Sequence, residues 1–187
     1  MIEAVFDACV LYSAPLRGFL LHLASSQLIV PYWSEEIQEE WTRNLLQNRP
    51  DLVRENLEGT HRKMDFHFPR GRIHGYEPIT STLTLPDPND KHVLAVAIHT
   101  GAKYIVTFNL KDFPKTVLQP YEIEALTPDT FVFQLIQKTP DRVCRATRNH
   151  RLSLTRPPKT VDEYLATLEK QGFTRTVAFL REHEAEI

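Results

Sequence analysis

The sequence predicts an α/β fold around a central parallel sheet, and two observations carry this prediction. Short apolar segments alternate with segments of helical periodicity. Two of the apolar segments, residues 5–7 and 104–112, run into turns that contain carboxylates. Because parallel strands end at one edge of a sheet, where open α/β sheets bind ligands, we expect acidic groups far apart in sequence to meet there.

The first elements follow from short apolar runs. Residues 2–11 predict a buried strand, and residues 16–23 predict a helix. Residues 28–31 predict a second strand, which we expect Pro31 to stop.

A helix that begins after Ser34 carries the next candidate residues. Ser34 is a good N-cap, and Ile37 and Trp41 lie one turn apart on a buried stripe. At about 100° per residue, Glu40 lies on the border of that stripe, and Glu36 lies further out. Glu40 is therefore the acidic residue of this helix that is best placed to reach an interior site.

The middle of the chain continues the alternation of helix and strand. Residues 51–64 predict a helix, and residues 66–88, which are rich in proline and glycine, predict mostly loop with a strand near residues 79–83. Residues 90–100 have helical spacing followed by a glycine stop, and residues 103–107 predict a strand.

The last part of the chain predicts helices only. Thr127, Thr139 and Thr160 each precede a helical pattern, and proline follows the first two. We therefore expect one α/β domain over residues 1–135 and a small helical extension over residues 136–187.

Composition excludes several classes of protein. The 187 residues are 42% hydrophobic, enough for a packed core, and the net charge of -2 gives no overall field for nucleic acid. Cys9 and Cys144 are not spaced as a disulfide framework or a zinc site, which favours a reducing cytoplasm. We recognise no signal peptide, no apolar segment of membrane length and neither of the glycine motifs of nucleotide-binding folds.

Acidic and amide residues at the ends of these elements are the candidate catalytic group. Asp7 follows the first strand and Asp90 begins a helix, so a turn and an N-cap could explain them singly. Asn109 and Asp112 follow the strand at residues 103–107, where both are ordinary turn residues. As a set with Glu40 they point to a cation, because clustered carboxylates repel one another unless Mg²⁺ or Mn²⁺ lies between them.

Four segments in this order resemble the PIN domain, and more narrowly the VapC-type toxins of bacterial toxin–antitoxin pairs. They are Val5-Phe6-Asp7, the helix at residues 34–40, Asp87-Pro88-Asn89-Asp90-Lys91-His92-Val93-Leu94-Ala95-Val96-Ala97, and Ile105-Val106-Thr107-Phe108-Asn109-Leu110-Lys111-Asp112-Phe113. The resemblance covers residues 1–135. The tail around Pro157 to Leu165 resembles an extension that a subgroup of these toxins carries.

The resemblance implies a three-layer α/β/α sandwich that cleaves RNA with Mg²⁺ or Mn²⁺. It places the family's metal-binding and catalytic positions on Asp7, Glu40, Asp90 and Asn109. Asn109 is an amide where the fully acidic pattern has a carboxylate, and Asp112, one turn further on, could restore the charge. The resemblance also implies a cognate antitoxin, a homodimer, a cytoplasmic location, no membrane, and tRNA or rRNA as the substrate.

A group of arginines in the tail is the candidate RNA-binding surface. Arg142, Arg145, Arg148 and Arg151 are spaced by three, and no Asp or Glu occurs from residue 142 through residue 161. On a helix this spacing produces a broad basic face. It predicts either a contact with the RNA backbone or an ordinary solvated surface.

Other functions stay open at this point. A housekeeping RNA-processing nuclease of the same fold fits the same motifs. An inactive PIN-like module that only binds RNA or protein also fits, with Asn109 as a mark of lost catalysis. A metal-free ribonuclease that uses paired histidines is a further alternative, since the chain has eight histidines. Cleavage that a chelator abolishes and Mn²⁺ restores would separate the metal-dependent enzyme from the last two.

Overall fold

Five strands form one sheet in the computed structural model, which describes residues 1–187. The strand order is β3-β2-β1-β4-β5, and the pairs β1–β4, β4–β5 and β2–β3 are parallel. The strands are β1 (Ile2–Phe6), β2 (Ile29–Ser34), β3 (Arg72–Ile73), β4 (Tyr104–Val106) and β5 (Glu124–Leu126).

Eleven α-helices connect and follow the strands. They are α1 (Ala8–Tyr12), α2 (Ala14–Ser25), α3 (Glu35–Asn48), α4 (Arg54–His67), α5 (Glu77–Thr80), α6 (Lys91–Thr100), α7 (Lys115–Leu118), α8 (Pro128–Lys138), α9 (Pro140–Ser153), α10 (Val161–Lys170) and α11 (Thr174–Glu182). Short 3₁₀ turns lie at Pro88–Asp90, Leu110–Asp112, Gln119–Tyr121 and Glu184–Glu186.

The pairing of β1 with β4 brings two predicted site segments side by side. Val5 pairs with Ile105 and Phe6 with Val106, and all four side chains are fully buried. The main-chain N–H of Asp7 then donates to the carbonyl of Val106 at 3.1 Å. The polar residues that follow the two strands therefore emerge at one edge of the sheet, as the parallel arrangement requires.

Most helix signals in the sequence are confirmed. Ser34 caps α3 by accepting a hydrogen bond of 3.1 Å from the N–H of Ile37. Gly101 ends α6 with a φ of 72°, which favours glycine. The three threonine-led starts in the tail coincide with α8, α9 and α10, and Thr160 forms a capping box with Glu163.

The strand predicted over residues 2–11 is too long, since β1 ends at Phe6 and α1 begins at Ala8. The N–H groups of Val10 and Leu11 both donate to the carbonyl of Asp7, at 3.0 and 3.2 Å. The chain thus turns into a helix directly after the strand. A short apolar run does not by itself distinguish a buried strand from a buried helix.

Two other strand predictions are wrong in detail. β2 continues through Pro31 to Ser34, and it pairs with β3 at Trp33 and Ser34, beyond the proline that lacks an N–H. The strand expected near residues 79–83 is absent, because α5 occupies part of this segment with Pro78 in its first turn. The strand of this region is β3.

The chain forms two compact units, which we describe separately. One comprises residues 2–12 and 30–126 and contains Asp7, Glu40, Asp90 and Asn109; the other comprises residues 1, 13–29 and 127–187. In the second unit Arg142 donates to the carbonyls of Ser26 and Gln27, at 3.2 and 3.1 Å, which ties α9 to the end of α2. The predicted boundary between residues 135 and 136 stays a prediction.

Candidate active site

Asp7 lies between β1 and α1 and is only 2% exposed. Its Oδ1 accepts a hydrogen bond of 2.6 Å from the N–H of Ala8. Its Oδ2 accepts bonds from the hydroxyl of Thr107 at 2.6 Å and from the thiol of Cys9 at 3.2 Å. The carboxylate is therefore fixed in position, and Oδ1, which accepts a single bond, keeps a lone pair for a further ligand.

Two opposing effects act on the charge of Asp7. Burial raises the pKa of Asp7, and the negative charge of Glu40 raises it further, whereas the bonds from Thr107, Cys9 and Ala8 lower it. The net direction is upward. The site therefore holds a carboxylate that is less stable in its charged form than one in water.

Asp90 is the second buried carboxylate of the site, with 8% of its surface exposed. It precedes α6 but makes no side-chain cap to that helix. Burial raises its pKa to about 7, and the charges of Asp7, Asp87, Asp112 and Glu40 all act in the same direction. Asp90 is thus surrounded by acidic groups, and the structure provides it with no cationic partner.

The acidic face of α3 supplies the third carboxylate. Glu40 is 30% exposed at its side chain and Glu36 is 59% exposed, so Glu40 is the more deeply placed of the two. Its charge acts on both Asp7 and Asp90. The geometric preference for Glu40 over Glu36 therefore agrees with the positions of these side chains.

A cavity of about 920 Å³ opens beside these residues. Nearly half of its lining residues are acidic, including Glu36, Glu40, Asp87 and Asp90, and Asn109 also lines it. Asp7 does not line this cavity. As the side chains stand, no three His, Cys, Asp or Glu residues are close enough together to hold one metal ion.

Asn109 and Asp112 occupy different positions relative to the cavity. Asn109 is exposed and lines it, and its main-chain N–H donates to the hydroxyl of Thr107 at 2.9 Å. Asp112, in the following 3₁₀ turn, does not line the cavity, but its charge raises the pKa of Asp90. Asn109 therefore places an amide side chain at the cavity, and Asp112, from the same turn, adds a negative charge near Asp90.

Two residues of the site were not singled out from the sequence. Thr107 is fully buried and bonds both Asp7 and the turn at Asn109. His92 is 3% exposed and lies against Glu36 and Glu40. Both lie inside the segments that resemble the PIN domain. Thr107 lies two residues before Asn109 and His92 lies two residues after Asp90, and this closeness to candidate residues is the signal that the sequence offered.

The four predicted RNA-binding arginines divide into two kinds. Arg142 is bonded to the end of α2, and Arg151 donates to the carbonyls of Lys159 and Ile187, at 3.1 and 3.4 Å. Arg145 and Arg148 are exposed and make no bond or ion pair. Two of the four are thus occupied by main-chain contacts, and two are available for a ligand.

The structure contains one pair of adjacent histidines, in the second unit. The rings of His22 and His150 lie 5.0 Å apart, and Nδ1 of His150 is 2.8 Å from the hydroxyl of Tyr164. Burial lowers the pKa of His150 to about 4, with a smaller contribution from His22. A Cβ on Gly18 would lie 3.3 Å from Nε2 of His150. This packing makes His150 a core residue and a poor catalytic partner for RNA.

Comparison with known proteins gives two family matches in chain order. The PIN domain model matches residues 3–111, and the model described as VapC50 C-terminal domain matches residues 128–182. The predicted PIN-like α/β fold with a VapC-type helical tail is therefore confirmed.

One curated relative is similar over a short segment. It is the protein of Mycobacterium tuberculosis (strain ATCC 25618 / H37Rv) named "Putative ribonuclease VapC50", 56% identical over 43 residues. The segment spans 23% of this chain and 25% of that protein. No solved structure matches the chain. None of the helices has both the length and the apolar character that a membrane span needs.

Proposed function

We propose that this chain, which belongs to the PIN-domain family, is a divalent-metal-dependent endoribonuclease and the toxin of a type II toxin–antitoxin pair. The observation that carries the proposal is the environment of Asp90. Its carboxylate is buried among four other carboxylates, and its pKa is raised to about 7. A bound divalent cation would offset this repulsion, because it supplies the positive charge that the protein does not.

The oxygen donors of the site fit a hard cation. Asp7, Glu40 and Asp90 would hold Mg²⁺ or Mn²⁺, with the amide oxygen of Asn109 or the carboxylate of Asp112 as a further contact. Closing this set around an ion requires side-chain rotation, for which Glu40, at 30% exposure, has room. Such an ion would lower the pKa of a bound water and would neutralise charge on the phosphate during in-line attack.

The protein groups have separate parts in this reaction. Asp7 is held by three hydrogen bonds and gives the site a fixed reference point. Glu40 is the most exposed of the three carboxylates, so it is our candidate to accept the proton of the attacking water. Asn109 stands at the cavity wall, where its side chain can orient water or substrate.

The substrate and partners follow from charge and family. An acidic cavity repels RNA, so backbone contacts must come from cations, and we assign Arg145 and Arg148 to this task. The VapC-type tail supports a cognate antitoxin as protein partner. A homodimer, a cytoplasmic location and a tRNA or rRNA substrate belong to the same proposal.

The test is RNA cleavage by the purified protein, with and without EDTA and Mn²⁺. We expect the chelator to abolish cleavage and Mn²⁺ to restore it. Asp7→Asn, Glu40→Gln and Asp90→Asn should each reduce the rate by at least about a hundred-fold, since even outer-shell partners of a metal cost 10–100-fold. Glu55→Gln, an exposed acidic residue on α4, is the charge-matched control.

Two results would contradict the proposal. Cleavage at the wild-type rate by Asp7→Asn would show that the assigned site is wrong. A purified protein that binds RNA without cleaving it in Mn²⁺ would favour the inactive binding module. Growth arrest on expression, relieved by Asp7→Asn, separates a toxin from a housekeeping nuclease.

A further inference from the structure

His92 lies at the cavity wall between two carboxylates of α3. Its side chain is 4% exposed, with Nε2 3.5 Å from Oε2 of Glu40 and Nδ1 3.9 Å from Oε2 of Glu36. Nδ1 is buried and has no hydrogen-bond partner. An imidazole in the first turn of α6 thus spans two glutamates that lie one helical turn apart.

Packing alone does not explain a histidine at this position. The next five residues of α6, from Val93 to Ala97, are all apolar and fully buried. A buried polar nitrogen without a partner costs about 1–3 kcal/mol, so an apolar side chain would serve the core better. The imidazole therefore has a task that requires its polar atoms, and the atoms nearest to it are carboxylate oxygens of the site.

The two glutamates differ in how firmly they are held. The hydroxyl of Tyr76 donates to Oε2 of Glu36 at 3.4 Å, so Glu36 has a second contact besides the imidazole. Glu40 has no hydrogen bond, and Nε2 of His92, at 3.5 Å, is the one basic side-chain atom in contact with its carboxylate. The orientation of Glu40 therefore depends on His92 more than that of Glu36 does.

We propose that His92 is a positioning residue that acts through Glu40. Nε2 of the imidazole directs the Glu40 carboxylate towards the cation site that it would form with Asp7 and Asp90. This inference rests on the proposed function, because it assigns His92 to the same cation site. It adds a residue outside the set of oxygen donors.

The test compares two amides that reproduce different nitrogens of the ring. A glutamine amide nitrogen is as many bonds from Cα as Nε2 of histidine, and an asparagine amide nitrogen is as many as Nδ1. We would measure the affinity for Mn²⁺, from the electron paramagnetic resonance signal of the free ion, for wild type, His92→Gln, His92→Asn and His92→Phe. His99→Asn is the matched control, because His99 is an exposed histidine on the same helix.

We expect His92→Gln to keep an affinity close to wild type. His92→Asn and His92→Phe should bind Mn²⁺ about 10–100-fold more weakly, the usual loss for an outer-shell partner of a metal. In a Glu40→Gln background, His92→Asn should cause no further loss, since the residue through which it acts is already changed. Ribonuclease rates should follow the same order, and His99→Asn should match wild type.

Three results would overturn the inference. The first is wild-type Mn²⁺ affinity in both His92→Asn and His92→Phe, while Asp7→Asn still loses the ion; this removes the role of His92 and leaves the proposed function standing. The second is an equal loss of Mn²⁺ affinity in His92→Gln and His92→Asn, together with an equal fall in their melting temperatures. This result would mean that the histidine has a purely structural role. The third is Mn²⁺ binding that Asp7→Asn does not weaken, which would remove the cation site itself.

Discussion

The hydroxyl of Thr107 donates a hydrogen bond of 2.6 Å to Oδ2 of Asp7, between residues one hundred positions apart in the chain. The hydroxyl oxygen of Thr107 also accepts a hydrogen bond of 2.9 Å from the main-chain N–H of Asn109. The buried side chain of Thr107 therefore fixes the candidate ligand Asp7 and also the turn that carries the candidate ligand Asn109.

Thr107→Val removes both hydrogen bonds at nearly constant volume. We expect a loss of about 1–3 kcal/mol in the free energy of unfolding, and Mn²⁺ affinity about 10–100-fold weaker, measured by denaturant titration and by calorimetry. Thr147→Val is the control, because Thr147 is equally buried and its hydroxyl has no hydrogen-bond partner. Equal destabilisation by both substitutions would show that the bond to Asp7 contributes nothing specific.

Asp90→Asn should stabilise the protein when no divalent cation is bound. Burial and neighbouring carboxylates raise the pKa of Asp90 to about 7 from 3.8, so the folded state binds a proton that the unfolded state has released. Ionisation of Asp90 therefore destabilises the folded protein increasingly as pH rises from 3.8 to 7. In EDTA at pH 8 we expect a higher melting temperature for the variant, by about 2–4 °C per kcal/mol of relieved repulsion.

The wild-type and Asp90→Asn melting temperatures should converge near pH 4, where the carboxyl is protonated in both the folded and, in part, the unfolded state. Saturating Mn²⁺ should reverse their order at pH 8, because only the wild type gains the full binding energy. A variant that melts below wild type in EDTA would refute the repulsion.

Asn109→Ala and Asp112→Asn should differ in their effects on cleavage. Asp112 acts on Asp90 through its charge, whereas Asn109 contributes only a dipole at the cavity wall. We expect Asp112→Asn to lower the rate more than Asn109→Ala, and both to lower it less than Asp7→Asn. If neither substitution changes the rate, the site consists of Asp7, Glu40 and Asp90 alone.

The arginines of α9 should separate into binding and structural roles. Replacing Arg145 and Arg148 with Ala should leave the melting temperature unchanged and reduce the salt slope of log K for single-stranded RNA by about 1.4, or 0.7 per lost phosphate contact. Replacing Arg142 and Arg151 should lower the melting temperature, because their bonds to main-chain carbonyls are lost. Unchanged RNA affinity with lost antitoxin affinity in the first variant would assign the exposed arginines to the protein partner.

His150 should make the protein sensitive to acid. Burial lowers its pKa to about 4 from 6.5, so the unfolded state binds the proton first as pH falls. The stability it contributes is fully present above pH 6.5 and is lost as pH falls towards 4, by up to about 3 kcal/mol. The raised pKa of Asp90 gives stability the opposite pH dependence over this range, so the test uses the Asp90→Asn background. There, His150→Gln should flatten the fall in stability between pH 6.5 and pH 4. A slope that His150→Gln leaves unchanged would rule this out.

Local signals explain which parts of the fold could be predicted from the sequence. Ser34, Gly101 and Thr160 act through hydrogen bonds or dihedral angles within a few residues, and each marks a real helix end. The apolar run around Val10 carries no such signal, so its division into strand and helix depends on tertiary packing. β3 has only two residues and forms by pairing with β2, which a local pattern cannot reveal.

The site shows the same limit. The proximity of Asp7, Glu40 and Asp90 could be predicted because each stands at an element end or on a helix face whose direction is known, while their role as a site stays a prediction. The roles of Thr107 and His92 depend on contacts with residues on other elements, at positions that no spacing rule gives. The engagement of Arg142 likewise depends on the carbonyls of Ser26 and Gln27, more than one hundred residues earlier.

The contacts of α2 with helices much later in the chain have a consequence for the synthesis of the protein. Helix α2 leaves the ribosome early, yet the partners of its buried face lie in the final helices: Phe19 packs edge-on against Phe173, with ring centroids 5.2 Å apart. The apolar face of residues 13–29 therefore stays partly uncovered until the chain has been made as far as Phe173. A nascent chain that stops before this residue presents an apolar surface that invites chaperones or aggregation.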